Sequence, residues 1–134
     1  MVFQLPTEVI DVAKWKLDED FAVYPEGARA KNLFQSPPEF VSHLIKPNHK
    51  YLFKKSAKRS PVQFWSEIIA YRLGTSAGVA VPPALIAYNS EKNEYGALIE
   101  WFYTPPLQRY IPGGALMIRL EPEFDRDKGS THCL

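Results

Sequence analysis

Tyr51-Leu52-Phe53-Lys54-Lys55, followed by Ser60-Pro61-Val62-Gln63-Phe64-Trp65-Ser66-Glu67-Ile68-Ile69-Ala70 and closed by Leu98-Ile99-Glu100-Trp101-Phe102, is the run from which the fold can be argued. A strand's period of two puts Leu52 and Lys54 on one face, with Tyr51, Phe53 and Lys55 on the other. Ser60 stands at a cap position, Pro61 at the first helical position, and Gln63 completes a capping box, so a helix is expected to start here. Phe64 and Ile68 share a helical face and Trp65 and Ile69 lie beside it. That makes a wide apolar stripe which must pack on something. Gly74 or Gly78 can end the helix, and Pro82-Pro83 bars its continuation. Residues 84–88 and 95–102 then read as two strands around a polar loop, the second nearly all apolar and therefore central.

Outward from this run the signals weaken. Residues 9–15 suit a first strand or a short helix. Phe21 to Tyr24 alternate as a strand, Pro25-Glu26-Gly27 makes a turn, and residues 31–34 can return as a second strand. Ser36-Pro37-Pro38-Glu39 has capping-box spacing, with Phe40 and Leu44 four apart, so a short helix competes with a strand over residues 40–45. Lys46-Pro47-Asn48-His49 reads as a turn. After Pro112-Gly113-Gly114, residues 115–120 are expected as a last strand, and the charged end from Glu121 as a loose tail. The expected architecture is an α+β single domain over residues 1–134. It is an antiparallel sheet of about five strands with one principal helix packed across it.

The totals bound the class. A length of 134 residues with 46% apolar composition supports one globular core, and twelve prolines argue against a helical bundle. The formal net charge of +1 makes no global case for nucleic acid or membrane. Yet residues 46–59 hold six Lys/Arg and no acid, a positive strip on a body with ten bases and fifteen acids. Cys133 is the one cysteine, so no internal disulfide is possible, which fits a reducing cytosol. The start shows no signal peptide and no apolar run is long enough to span a bilayer; a cytoplasmic protein with no membrane partner is the expectation. His43, His49 and His132 do not combine with Cys133 into a metal-ligand spacing.

Lys54 and Glu67 are the first candidates for chemistry, the alternative being an ordinary surface lysine and a solvated boundary glutamate whose pairing contributes only about 0–1 kcal/mol. A lysine at a strand end holds phosphate oxygens only if kept from swinging, and a glutamate on the facing helix does that by pairing with it. Glu67 lies among Phe64, Trp65, Ile68 and Ile69, close to the buried stripe, where a carboxylate needs a partner.

The order Tyr51 to Lys54, Phe64 to Ala70, Gly78 with Pro82, and Leu98 to Phe102 resembles the small lobe of HipA-like kinases. These are serine/threonine kinases of the phosphatidylinositol-kinase-like branch that include toxins of toxin–antitoxin pairs. The likeness covers about residues 23–103, with residues 104–134 as linker and tail. It implies that Lys54 is the ATP lysine and Glu67 its partner, and that the backbone of Glu100, Trp101 and Phe102 is the hinge for adenine. Gly27, Ala28 and Arg29 fall where the family places its phosphate-covering loop, whose small residues let backbone N–H groups approach phosphate. No serine stands between Val23 and Asn32, so control by loop phosphorylation is not implied.

The sequence departs from the family in one respect: no segment matches the N-x-D-x-H-x-x-N pattern of its large lobe. Phe124 to Gly129 is a charged tail, not a metal loop. The resemblance therefore implies ATP with magnesium as cofactor, the magnesium ligands lying on a large lobe in the same or a companion chain. Phosphoryl transfer by these residues alone is not expected. An antitoxin or a protein substrate is the further partner the family implies. The alternative is a non-catalytic module that reuses the fold to bind a partner kinase or nucleic acid. Tyr51 and Phe53 among the lysines suit single-stranded nucleic acid, although lysines guarding an edge strand are the preferred reading of that strip.

Overall fold

The computed structural model describes residues 4–19, 31–57, 59–104 and 106–125. It divides into two compact units, residues 1–101 and residues 102–134.

The first unit holds short strands β1 (Ile10–Asp11) and β2 (Lys16–Leu17), then β3 (Lys31–Gln35), β4 (Lys50–Lys55), helix α1 (Trp65–Ser76), β5 (Ala84–Asn89) and β6 (Glu94–Glu100). One six-stranded sheet results, in the order β1-β5-β6-β4-β3-β2. The sheet is mixed rather than antiparallel, because β1 runs parallel to β5, with Ile10 opposite Ala87 and Asp11 opposite Tyr88. The cause lies far away in sequence. The Gln4 side-chain amide exchanges two hydrogen bonds with the backbone of Ile86, at 2.6 and 2.7 Å, as a strand neighbour would. Val12 N–H then donates to the Tyr88 carbonyl at 2.9 Å.

β4 and β6 are central, and the expected parity holds. Tyr51 and Phe53 are 1% and 2% exposed on one face. They join Ile10, Val12, Trp15, Phe34, Leu44, Ile45, Leu85, Ala87 and Leu98 in the larger core. On the other face Ala84, Ala97 and Ile99 pack against Phe64, Ile68 and Tyr71 of the helix region, with Leu52, Val81 and Ile86 at the margin.

Three local expectations are corrected. Residues 36–49 form neither helix nor strand. Ser36 is buried, and its hydroxyl bonds the Lys46 and His49 carbonyls and accepts the His49 N–H, so it stitches a turn instead of capping a helix. That turn places Leu44 and Ile45 as a lid on the larger core. Secondly, α1 begins five residues after Ser60. Short-range bonds wind residues 60–67, and the Phe64 N–H finds its acceptor in Ser56 Oγ at 2.9 Å. Gly78, at φ 74°, ends the helix region. Lastly, only part of the apolar stripe is covered, since Trp65, Ile69 and Leu73 remain exposed.

The second unit contains α2 (Gly113–Leu120), a helix where a strand was expected. A short apolar run carries no period to separate the two. α2 buries none of its described residues. Beside it in sequence, Phe102, Tyr103 and Tyr110 form a ring cluster with centroids 5.7–6.0 Å apart. No helix among the described residues is long and apolar enough to cross a membrane.

Tyr51 offers a test of the larger core. Burial pushes its phenol above the ordinary value of 10, the Lys46 N–H bonded to it at 2.9 Å works the other way, and nearby Glu100 raises it again. A phenol that holds its proton more tightly when folded contributes stability that is present below pH about 10 and lost as pH rises above it. Stability measured by urea unfolding should therefore fall in alkali less steeply in Tyr51→Phe than in the wild type. At neutral pH the variant should lose about 1–2 kcal/mol, because the Lys46 N–H is left without its acceptor. Identical alkaline slopes would remove Tyr51 as the cause.

Candidate functional site

Lys54 and Glu67 meet. Lys54 Nζ lies 3.2 Å from Glu67 Oε1, with 27% and 23% of the two side chains exposed. Strand parity puts Lys54 on the helix side of β4, beyond Leu52. Helix phase does the rest: Glu67 is three residues after Phe64 and four before Tyr71, so its carboxylate stands at the rim of the buried stripe rather than opposite it. A pair this exposed contributes only about 0–1 kcal/mol to stability. Its chemical content is positional: the carboxylate holds one of the ammonium's three donors and leaves two for a ligand.

β3 brings another cation to the same place. Lys31 is the register partner of Lys54, directly across the β3–β4 ladder.

The Glu100–Trp101 segment is already engaged with the sheet. Glu100 N–H donates to the Pro83 carbonyl and Trp101 N–H to the Lys50 carbonyl, at 2.9 and 3.0 Å. Neither amide is therefore offered to an adenine. Pro83 has no N–H with which to return the bond, so the Glu100 carbonyl gets no ladder donor from that neighbour. The Glu100 side chain is pinned by Lys46 Nζ and lies 3.7 Å from His49 Nε2. His49 Nε2 also stands 3.2 Å from the Trp101 carbonyl. A carbonyl only accepts, so this contact needs a proton on Nε2. Lys46 and His49 brace the segment from 54 and 52 residues away. No local pattern in the sequence marks them.

Four of the six cations of the positive strip meet carboxylates in the fold. Lys46 pairs with Glu100, Lys50 with Asp18 at 2.6 Å, Lys54 with Glu67, and Lys55 with Glu94 at 2.8 Å. Tyr51 and Phe53 are buried and present no ring for a base to stack on.

Gly27, Ala28 and Arg29 lie outside the described residues, as do Phe21 to Tyr24, His132 and Cys133. Clefts of about 610 and 410 Å3 open along β2 and β3, lined by residues such as Lys16, Asp18, Gln35 and Lys50, and by Lys14, Ser36, Pro37 and Asn48. Lys54, Glu67 and Glu100 line neither, and no reactive group converges there. Among the described residues no three His, Cys, Asp or Glu gather as a metal site. Comparisons with family models, curated proteins and solved structures return no match for this chain.

Proposed function

We propose that this chain serves as the nucleotide-binding small lobe of a HipA-like serine/threonine kinase, completed by a large lobe in the same or a companion chain. The observation that carries the reading is the Lys54–Glu67 contact of 3.2 Å between β4 and α1. A strand lysine held by a helix carboxylate is the arrangement that fixes the phosphates of ATP. The Glu100 carbonyl, left without a donor from Pro83, is the acceptor available to an adenine amino group at the end of β6. Lys54 contacts phosphate, Glu67 orients Lys54, and Glu100 to Phe102 edge the adenine. These residues bind and orient; none abstracts a proton or holds magnesium. Those tasks belong to the large lobe, where magnesium would bridge and neutralise the phosphates.

With half of the contacts, ATP affinity is expected at about millimolar or weaker. The test is a 15N–1H NMR titration of the chain with ATP. Shift changes should gather at Lys54, Glu67 and residues 100–102, and the Lys54→Met variant should lose them. Changes scattered over the surface, or identical in Lys54→Met, would sink the reading.

A further inference from the structure

We propose that the cleft between β2 and the turn over residues 36–49 docks an acidic peptide in extended form. The proposal goes beyond the nucleotide reading and is independent of Lys54 and Glu67.

The cleft, of about 410 Å3, is lined by Lys16 of β2, by Lys14 just before it, by Gln35 at the end of β3, and by Pro37, Pro38 and Asn48 of the turn. Backbone pairing gathers them around one opening. Lys16 is the register partner of Gln35 on the β2–β3 ladder. The Ser36 hydroxyl, bonded to the Lys46 and His49 carbonyls, folds the turn back on itself. Asn48 N–H then donates to the Pro37 carbonyl at 3.1 Å. Asn48 holds φ at 51°, a left-handed conformation that asparagine tolerates better than most residues.

Charge and hydrogen-bonding capacity are both unspent here. No carboxylate lines the cleft. Among the described residues Lys14 and Lys16 are in no ion pair, and the side-chain amides of Gln35 and Asn48 have no partner. The field of Lys14 reaches Asp11, but that carboxylate already accepts the Ala13 and Ser90 N–H groups at 3.0 and 3.2 Å. The lysines farther along the chain differ, since Lys46, Lys50, Lys54 and Lys55 each meet a carboxylate. The adjoining cleft differs too. Asp18 and Glu19 line it, and its Lys50 is bonded to Asp18 at 2.6 Å. An anionic ligand is thus drawn to the smaller cleft and turned away from the larger.

β2 is the last strand of the sheet, and lysines on such an edge often serve only to keep other strands away. That account covers Lys16. It covers neither Lys14, which precedes the strand, nor the two amides. A primary amide carries a donor and an acceptor side by side, the complement of a peptide group. Gln4 shows the match within this chain, exchanging two bonds with the backbone of Ile86 at 2.6 and 2.7 Å. An extended acidic segment gives its backbone to Gln35 and Asn48, its carboxylates to Lys14 and Lys16, and its aliphatic carbons to the proline rings. Phosphate offers acceptors only and leaves the two amide oxygens unmet. No aromatic ring lines the cleft for a base to stack on, which sets it apart from a single-stranded nucleic-acid site.

The test titrates the 15N-labelled 134-residue chain at low salt, following backbone amides by NMR. The probes are a capped pentapeptide of alternating glutamate and alanine, its glutamine counterpart, inorganic phosphate and a thymidine pentanucleotide. Circular dichroism checks that each variant is folded. Shifts should gather at Lys14, Lys16, Gln35 and Asn48 with the glutamate peptide and fade as salt is added. Lys14→Met and Lys16→Met should each weaken its binding about three- to fivefold, and Gln35→Ala about threefold. Lys92→Met, in the β5–β6 loop, should change nothing. Equal binding of the glutamine peptide overturns the proposal, because charge is then not read. Phosphate or the oligonucleotide binding at these residues as tightly as the glutamate peptide also overturns it, in favour of a general anion or nucleic-acid site. So does Lys92→Met weakening binding as much as Lys16→Met, or Gln35→Ala and Asn48→Ala both leaving it unchanged.

Discussion

Gly96→Ala is expected to destabilise the chain by about 3 kcal/mol, at the upper end for an overpacked interior. A methyl at Gly96 would stand 2.7 Å from the Lys54 carbonyl oxygen and 2.7–2.8 Å from the Phe53 ring. Neither obstacle can step aside. The carbonyl belongs to the central β4 ladder, and the ring is 2% exposed inside the larger core. Relief requires β4 and β6 to separate at the residue that presents the functional lysine. The loss should therefore appear twice, as a lower urea midpoint and as displaced amide signals at Lys54 and Lys55. Two other glycines calibrate the result. Gly78 has open space around it but a φ of 74°, so Gly78→Ala should cost about 1 kcal/mol by backbone strain alone. Gly113 has neither crowding nor a positive φ, and Gly113→Ala should be neutral or slightly stabilising. A Gly96→Ala protein within 0.5 kcal/mol of wild type would mean that β4 and β6 are not held this closely.

The same ladder explains what could be read from the chain unaided. β4, the helix after it and the β5–β6 hairpin declare themselves locally. Period two separates Tyr51 and Phe53 from Leu52 and Lys54, helical spacing puts Glu67 beside Phe64, and Pro82-Pro83 divides helix from strand. Those facts put Lys54 and Glu67 on neighbouring elements, the resemblance to a kinase small lobe supplied the expectation that they pair, and the two lie 3.2 Å apart. What escaped was set by partners far off in sequence. β1 is two residues long and owes its parallel pairing to Gln4 reaching Ile86, a relation no window of sequence contains. Ser36 and Ser60 both look like caps. Ser36 instead turned inward to satisfy three backbone groups, and Ser56 took the Phe64 amide. The strip of lysines could be counted, but not that Asp18, Glu94 and Glu100 would fold against Lys50, Lys55 and Lys46. Charge seen along a chain says little until the other strands are in place. In the C-terminal unit, the run that became α2 offered apolar residues without a distinguishing period.

Substitution of Glu67 should separate an ornamental ion pair from a positioning one. The Lys54–Glu67 pair is about one-quarter exposed, so Lys54→Met, Glu67→Gln and Glu67→Ala should each stay within about 1 kcal/mol of wild-type stability. ATP binding should respond quite differently. Lys54→Met removes the cation itself and should weaken binding about tenfold or more. For Glu67 two effects oppose each other. Its negative charge repels phosphate, while its oxygen keeps a flexible four-carbon stem from sampling other rotamers, an ordering worth up to about 2 kcal/mol. Glu67→Gln keeps an acceptor oxygen for Lys54 Nζ and discards the charge, so affinity should hold or improve slightly. Glu67→Ala discards both, and affinity should fall about threefold or more because the lysine is no longer held. The order Gln at or above wild type, with Ala below, is the signature of orientation, since a purely electrostatic competitor would let both variants bind more tightly. Glu67→Ala binding ATP as well as wild type would leave the 3.2 Å contact as an ordinary surface pair and take from the kinase reading the observation that carries it.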